Sequence, residues 1–255
     1  MTIRLIALTG LLMAVASAPA VAAPSLEPLK ACYVSAGEAD ERREGVVLRG
    51  SGFTPNAALR VYIDGLLVME GQSDVVGGLA ATVKAPFLSA GEREFGVTVV
   101  ERDNPVNAAD SVSRVTALSV TLRPREARPS RRVQFRGRGF TGAGPVYAHY
   151  VFGGKLRRTV RLTRQAAGPC GTFSVRRPQI PIRRPRTGDW TLQIDQQRRY
   201  SADPPTNWVR LLIRVRRVFA DPGDQATAGS SAAARVRVNR SSPSAVSTST
   251  RAPAA

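Results

Sequence analysis

The chain is short of most groups that catalysis and metal binding draw on. Its 255 residues include one histidine and two cysteines. A Ser-His-Asp or Cys-His site would depend on His149 alone. Zinc usually takes several His or Cys ligands, and three such residues scattered along the chain are a poor supply. Aromatics are only 6% of the residues. Lysine is nearly absent, so the positive charge is almost all arginine. After the first twenty-odd residues no segment is apolar enough to cross a membrane as a helix, and none has long helical periodicity.

The paucity of cysteine also bears on cross-linking. By the boundaries given below, Cys32 and Cys170 fall in different domains, which rules out an intradomain bridge. An interdomain bridge requires Cα atoms within about 7 Å. The reading favoured by sequence is two free, buried thiols.

What is present begins with an export signal. Arg4 supplies a basic start, Leu5 to Ala16 is apolar, and Ala20-Val21-Ala22 fits a small-residue cleavage site. Residues 1–22 therefore read as a signal peptide, and the mature chain as secreted or associated with the cell envelope. Leu29-Lys30-Ala31-Cys32 has the outline of a lipoprotein box. Lys30 stands where a small or apolar residue is wanted, and Pro24, Glu27 and Pro28 separate the box from the apolar run. Lipidation at Cys32 is not expected.

The most informative feature is an internal repeat. Val47-Leu48-Arg49-Gly50-Ser51-Gly52-Phe53-Thr54 parallels Gln134-Phe135-Arg136-Gly137-Arg138-Gly139-Phe140-Thr141. Val61-Tyr62 is matched to Val146-Tyr147. Phe95, Val97 and Val99 are matched to Trp190, Leu192 and Ile194, and Ser111–Val120 to Thr206–Val215. Four collinear matches imply duplication of a unit of some ninety residues. Each unit reads as all-β. Val209, Leu211, Ile213 and Val215 alternate with Arg210, Arg214 and Arg216, and Leu59, Val61 and Ile63 alternate with Arg60, Tyr62 and Asp64, the period of a half-buried strand. Asp64-Gly65, Gly77-Gly78, Gly153-Gly154 and Gly168-Pro169 mark turns between such runs.

A strand ending in Gly-x-Gly-Phe-Thr, followed by a strand such as Leu-Arg-Val-Tyr-Ile-Asp-Gly and an Asp/Gly turn, resembles bacterial extracellular immunoglobulin-like repeats of the IPT/TIG type. The resemblance covers residues 29–219. It implies two tandem immunoglobulin-like β-sandwiches of the kind that serve as binding modules, spacers or surface decorations, with no cofactor. The expected organisation is signal peptide 1–22, domain one 23–117, domain two 118–219 and a disordered tail 220–255. The tail is rich in Ala, Ser, Thr and Pro and cannot bury enough apolar surface to order itself.

Charge is divided unevenly between the units. Residues 24–117 hold 9 Lys/Arg against 13 Asp/Glu, net −4, while residues 118–219 hold 23 against 4, net +19. Arginine presents a planar donor fork suited to phosphate and carboxylate. The candidate polyanion-binding residues are Arg131, Arg132, Arg136, Arg138, Arg157, Arg158, Arg161, Arg164, Arg183, Arg184 and Arg186. The expected partner is an anionic polymer or surface of the bacterial envelope. The alternative is a module for a protein or small ligand, its charge incidental. Specific nucleic-acid binding is not expected, although Tyr147, His149, Tyr150 and Phe152 lie near the Arg157 cluster. Glu38, Asp40, Glu41 and Glu44 form an acidic loop whose spacing matches no calcium motif, so a solvated loop is expected. No catalytic constellation emerges, His149 being expected to pack within an aromatic strand.

Overall fold

The computed structural model describes residues 23–204, 207–217 and 234–239. The expected signal peptide, and residues 220–233 and 240–255 of the expected tail, lie outside them. Apart from a 3-10 turn at Asp40–Arg42, all the described regular structure is strand. The first eight strands are β1 (Ser25–Leu26), β2 (Tyr33–Ser35), β3 (Gly45–Ser51), β4 (Ala58–Ile63), β5 (Leu66–Gln72), β6 (Leu79–Lys84), β7 (Glu92–Glu101) and β8 (Ala108–Ala117). The next eight are β9 (Ser119–Arg123), β10 (Arg132–Arg138), β11 (Val146–Phe152), β12 (Lys155–Thr163), β13 (Phe173–Pro178), β14 (Gly188–Asp195), β15 (Val209–Arg217) and β16 (Ala234–Asn239).

These strands build two immunoglobulin-like sandwiches. In the first, sheet β1-β3-β6 covers sheet β2-β8-β7-β4-β5; in the second, β9-β10-β13 covers β12-β11-β14-β15-β16. The alternation read from sequence sets the inward faces. Leu59, Val61, Ile63, Phe95, Val97 and Val99 are buried in one core, and Trp190, Leu192, Ile194, Leu211, Ile213 and Val215 in the other. Each core is contiguous and draws on one repeat unit. Burying such side chains stabilises each sandwich by about 1.5–3 kcal/mol apiece.

The Gly-x-Gly-Phe motif makes the same corner twice. Gly52 and Gly139 both have φ of 86°, a conformation open chiefly to glycine, and Phe53 and Phe140 turn inward at 3% and 0% exposure. The Phe53 N–H donates to Gly77 O (3.1 Å) and the Phe140 N–H to Gly171 O (3.1 Å). Gly77 and Gly171 form a second matched pair that the sequence comparison overlooks, because the residues flanking the two glycines differ.

Register corrects two of the sequence matches. Val61 pairs with Val99 and Ala148 with Ile194. The counterpart of Val61 is therefore Ala148, not Val146, which keeps the spacing of the Gly-x-Gly-Phe match. Arg93 pairs with Val115 and Gly188 with Val215. Val115 thus answers Val215, while Val120 belongs to β9 in the next sandwich. The slip arises because the β14–β15 connection, 196–208, is longer than its β7–β8 counterpart, 102–107.

Two further expectations are altered. Cys32 and Cys170 are not free thiols but form a disulfide, with Cα atoms 5.2 Å apart. The sandwich junction brings them together: the Leu118 N–H donates to Ser35 O (2.9 Å), and Lys30 Nζ reaches Thr141 Oγ1 (3.3 Å). A separation of 138 residues carries no trace of this in sequence. Within the range expected to be a disordered tail, Ala234–Asn239 pairs antiparallel with β15. Its Arg-Val-Arg-Val alternation has the period of a strand. It takes the position beside β15 that β2, running parallel, takes beside β8.

Candidate functional site: the arginine face of the second sandwich

In antiparallel pairs, residues directly opposite share a face. Sheet β9-β10-β13 turns Val120, Leu122, Val133, Phe135 and Phe173 inward. Its register then fixes the outer face. Gln134 lies between Arg123 and Arg176, Arg136 between Thr121 and Ser174, and Arg138 opposite Ser119, with Arg132 opposite Pro178. Five arginines (Arg123, Arg132, Arg136, Arg138 and Arg176) thus share one face, and no outward strand position of this sheet is acidic. One Arg132 terminal nitrogen donates to the Arg176 carbonyl (3.1 Å), and Gln134 Nε2 donates to Ser174 Oγ (2.9 Å). These bonds orient the centre of the face.

The repeat supplies an internal control. By register and motif match, Arg132, Gln134, Arg136 and Arg138 occupy the positions of Gly45, Val47, Arg49 and Ser51, and Arg176 that of Thr82. The first sandwich folds with only Arg49 and Lys84 as cations on the corresponding face of β3 and β6. The fold therefore does not require the arginines.

The structure divides the sequence-predicted cations. Arg132, Arg136 and Arg138 lie on this face, and Arg131 sits in the exposed turn entering β10. Arg157, Arg158 and Arg161 are on β12, the edge of the other sheet, where Arg158 is opposite Tyr150 and Arg161 opposite Tyr147. Arg164 follows that strand. Arg183, Arg184 and Arg186 are in the exposed loop between β13 and β14. Arg123 and Arg176 complete the face but are absent from the predicted set, because only register between strands brings the two alongside Gln134. Elsewhere, Arg214 is engaged with Asp189 through bonds of 2.5 and 2.8 Å.

His149 is buried, as expected, but its contacts are polar. Its Nε2 lies 3.2 Å from Asp195 Oδ1 and 3.0 Å from Gln197 O, and its Nδ1 lies 2.9 Å from Thr159 Oγ1. Both Nε2 neighbours accept, so that nitrogen carries the proton. Burial pushes the Asp195 carboxyl up, but hydrogen bonds from His149, Gln193 and the Gln197 N–H outweigh it and hold the group below the usual carboxylate range. Gln193 Nε2 also donates to Ser201 O (3.0 Å), and Arg210 donates to Gln193 Oε1 and Ala202 O. Hydroxyl, imidazole and carboxylate stand in the order of a nucleophilic triad, yet ring and carboxylate are wholly buried, and Tyr200 packs on the ring at 5.7 Å. The cluster clamps the long 196–208 connection against the sheet.

The acidic loop of the first sandwich is partly neutralised. Asp40 pairs with Arg43 and Glu44 with Lys30. Among the described residues no His, Cys, Asp and Glu cluster could hold a metal, and no helix is long and apolar enough to cross a membrane. A groove of about 330 Å³ in that sandwich is lined by Val68, Met69, Thr82 and Val83 together with the charged Asp40, Arg43 and Lys84.

No protein-family model and no curated protein matches the chain. Two solved structures show a partial likeness. One concerns host cell surface retention of a 1.5-MDa bacterial ice-binding adhesin: 16% identity, TM-score 0.29, 67% of this chain and 57% of that one. The chain thus spans little more than half of that neighbour's length. The other is the central fibronectin-III array of RIM-binding protein: 10% identity, TM-score 0.19, 73% of this chain and 79% of that one.

Proposed function

We propose that this is an exported, non-enzymatic bacterial binding protein, whose second immunoglobulin-like sandwich attaches it to anionic polymers of the cell envelope. Residues 23–117 form one unit, and 118–219 the other, to which Ala234–Asn239 adds an edge strand. The observation that carries the reading is the outer face of β9-β10-β13. Five arginines share it without an acidic strand residue, at positions the sister sandwich fills mostly with neutral side chains. Like charges held together on one face repel, and a bound polyanion relieves that repulsion. The IPT/TIG resemblance is in keeping with such a role.

The test is salt-titrated cosedimentation of residues 23–255 with isolated envelope. The disulfide across the junction makes the intact pair the proper material. Retention at low salt, lost by a few hundred millimolar, is expected, since counterion release makes such binding steeply salt-dependent. The triple variant Arg132→Gln/Arg136→Gln/Arg176→Gln should lose at least tenfold in affinity. No retention by the unaltered protein overturns the proposal. The second reading, a protein or small-ligand module, has one observation in its favour. The groove at Val68 and Met69 adjoins exposed Leu66 and Leu67 on the edge strand β5. Binding there would survive the change of Arg132, Arg136 and Arg176 to Gln.

A further inference from the structure

Resting on that reading, we infer that the arginine face takes a linear acidic polysaccharide lying along β10. The face is a track rather than a pocket. At about 3.3 Å per residue and 4.8 Å between strands, Arg136 and Arg138 are roughly 7 Å apart and Arg132 about 13 Å from Arg136. Arg123 and Arg176 flank the gap at Gln134, about 10 Å from one another across the sheet. The five charges therefore occupy a strip about 20 Å long and 10 Å wide. A flexible chain with sulfate, phosphate or carboxylate groups at intervals meets them in succession.

The neutral positions narrow the class. Ser119, Thr121, Gln134 and Ser174 are interleaved with the arginines and present hydroxyl and amide groups at the spacing of the sheet. They suit a polymer that carries hydroxyls between its anions. No outward strand position of this sheet holds an aromatic ring. Proteins that hold single-stranded nucleic acid without sequence preference stack its bases on such rings, and this face offers none. It also has no large apolar side chain to enter a lipid interface, where peripheral binding gains from buried apolar area. A sugar polymer needs neither.

The experiment uses residues 23–255 with dextran sulfate and polygalacturonate as probes. A dT oligonucleotide of matched charge, inorganic polyphosphate and phosphatidylglycerol vesicles are the comparators. Five localised contacts predict a log–log salt slope of about −3 to −5, and each single Arg→Gln change on the face should reduce its magnitude by about 1. The face variant Arg132→Gln/Arg136→Gln/Arg176→Gln should lose at least tenfold in affinity for both polysaccharides. The β12 variant Arg157→Gln/Arg158→Gln/Arg161→Gln should bind as the unaltered protein does. These side chains are exposed, and an unchanged thermal midpoint for each variant verifies folding. Equal losses from both triple variants would overturn the track in favour of diffuse charge. Tighter binding to the oligonucleotide, to polyphosphate or to vesicles than to the polysaccharides would overturn the ligand class while leaving polyanion attachment standing. No binding to any of the five would overturn both.

Discussion

At the scale of single residues, the second sandwich holds two polar groups, one on the inner face of β11 and one on the outer face of β14, with opposite energetics. Tyr150 is in the core at 1% exposure, and its hydroxyl has no hydrogen-bond partner. Burial pushes the phenol well above its ordinary pKa, so it stays neutral. A buried unpaired hydroxyl costs about 1–3 kcal/mol, and Tyr150→Phe should raise stability by about 1 kcal/mol in urea unfolding. Asp195, by contrast, is satisfied on both oxygens. Because its folded pKa is depressed, its contribution is present above the ordinary carboxyl pKa of about 4 and fades as pH falls through the lower folded value. The urea midpoint of the second sandwich should be flat above about pH 5 and decline below pH 4, and Asp195→Asn should weaken that decline. Asp195→Ala should cost about 3 kcal/mol or more, since it strands buried partners.

At the scale of elements, the paired corners give a graded test. A Cβ added to Gly77 would stand 2.0 Å from Phe53 O, and one added to Gly171 would stand 2.1 Å from Phe140 O; Gly65, also at positive φ, has nothing within 4 Å. Alanine at Gly65 should cost about 1 kcal/mol through backbone strain, whereas Gly77→Ala and Gly171→Ala must also displace a carbonyl and should cost clearly more. Equal costs by denaturant titration would refute this account of the corner. The same elements show what sequence could reveal. Inward alternation in β4, β7, β14 and β15 was legible because core burial imposes a period of two on single strands. The arginine face was only half legible. Arg132, Arg136 and Arg138 share a strand and can be read from spacing, but Arg123 and Arg176 join them through register between strands far apart in the chain. The His149 clamp left almost no sequence signal, since its members come from β11, β12, β14 and a connection more than twice as long as its repeat counterpart.

At the scale of the whole molecule, the two sandwiches are joined by the Leu118 hydrogen bond, by Lys30 reaching Thr141, and by the ring of Trp208, which Arg42 and Arg210 approach to 4.8 and 4.3 Å. The disulfide adds a covalent link. Closing a loop of this length restricts the denatured chain by about 5 kcal/mol in the loop-entropy account. Each sandwich has its own core, so reduction should release the junction while leaving both cores folded. A single backbone cut between Cys32 and Cys170 should give two fragments that migrate together on a non-reducing gel and separate after reduction. Separation without reductant would show that the bond does not form.

That bond also has a consequence for biogenesis. In a chain emerging N-terminus first, Cys32 is delivered long before its partner, with an entire sandwich and more than half of the next synthesised in between. During that interval its thiol is open to capture by other thiols, including the Cys32 of a neighbouring nascent chain. Maturation therefore depends on timing, and oxidation that runs ahead of chain synthesis should accumulate a covalent dimer in place of the ring-closed monomer.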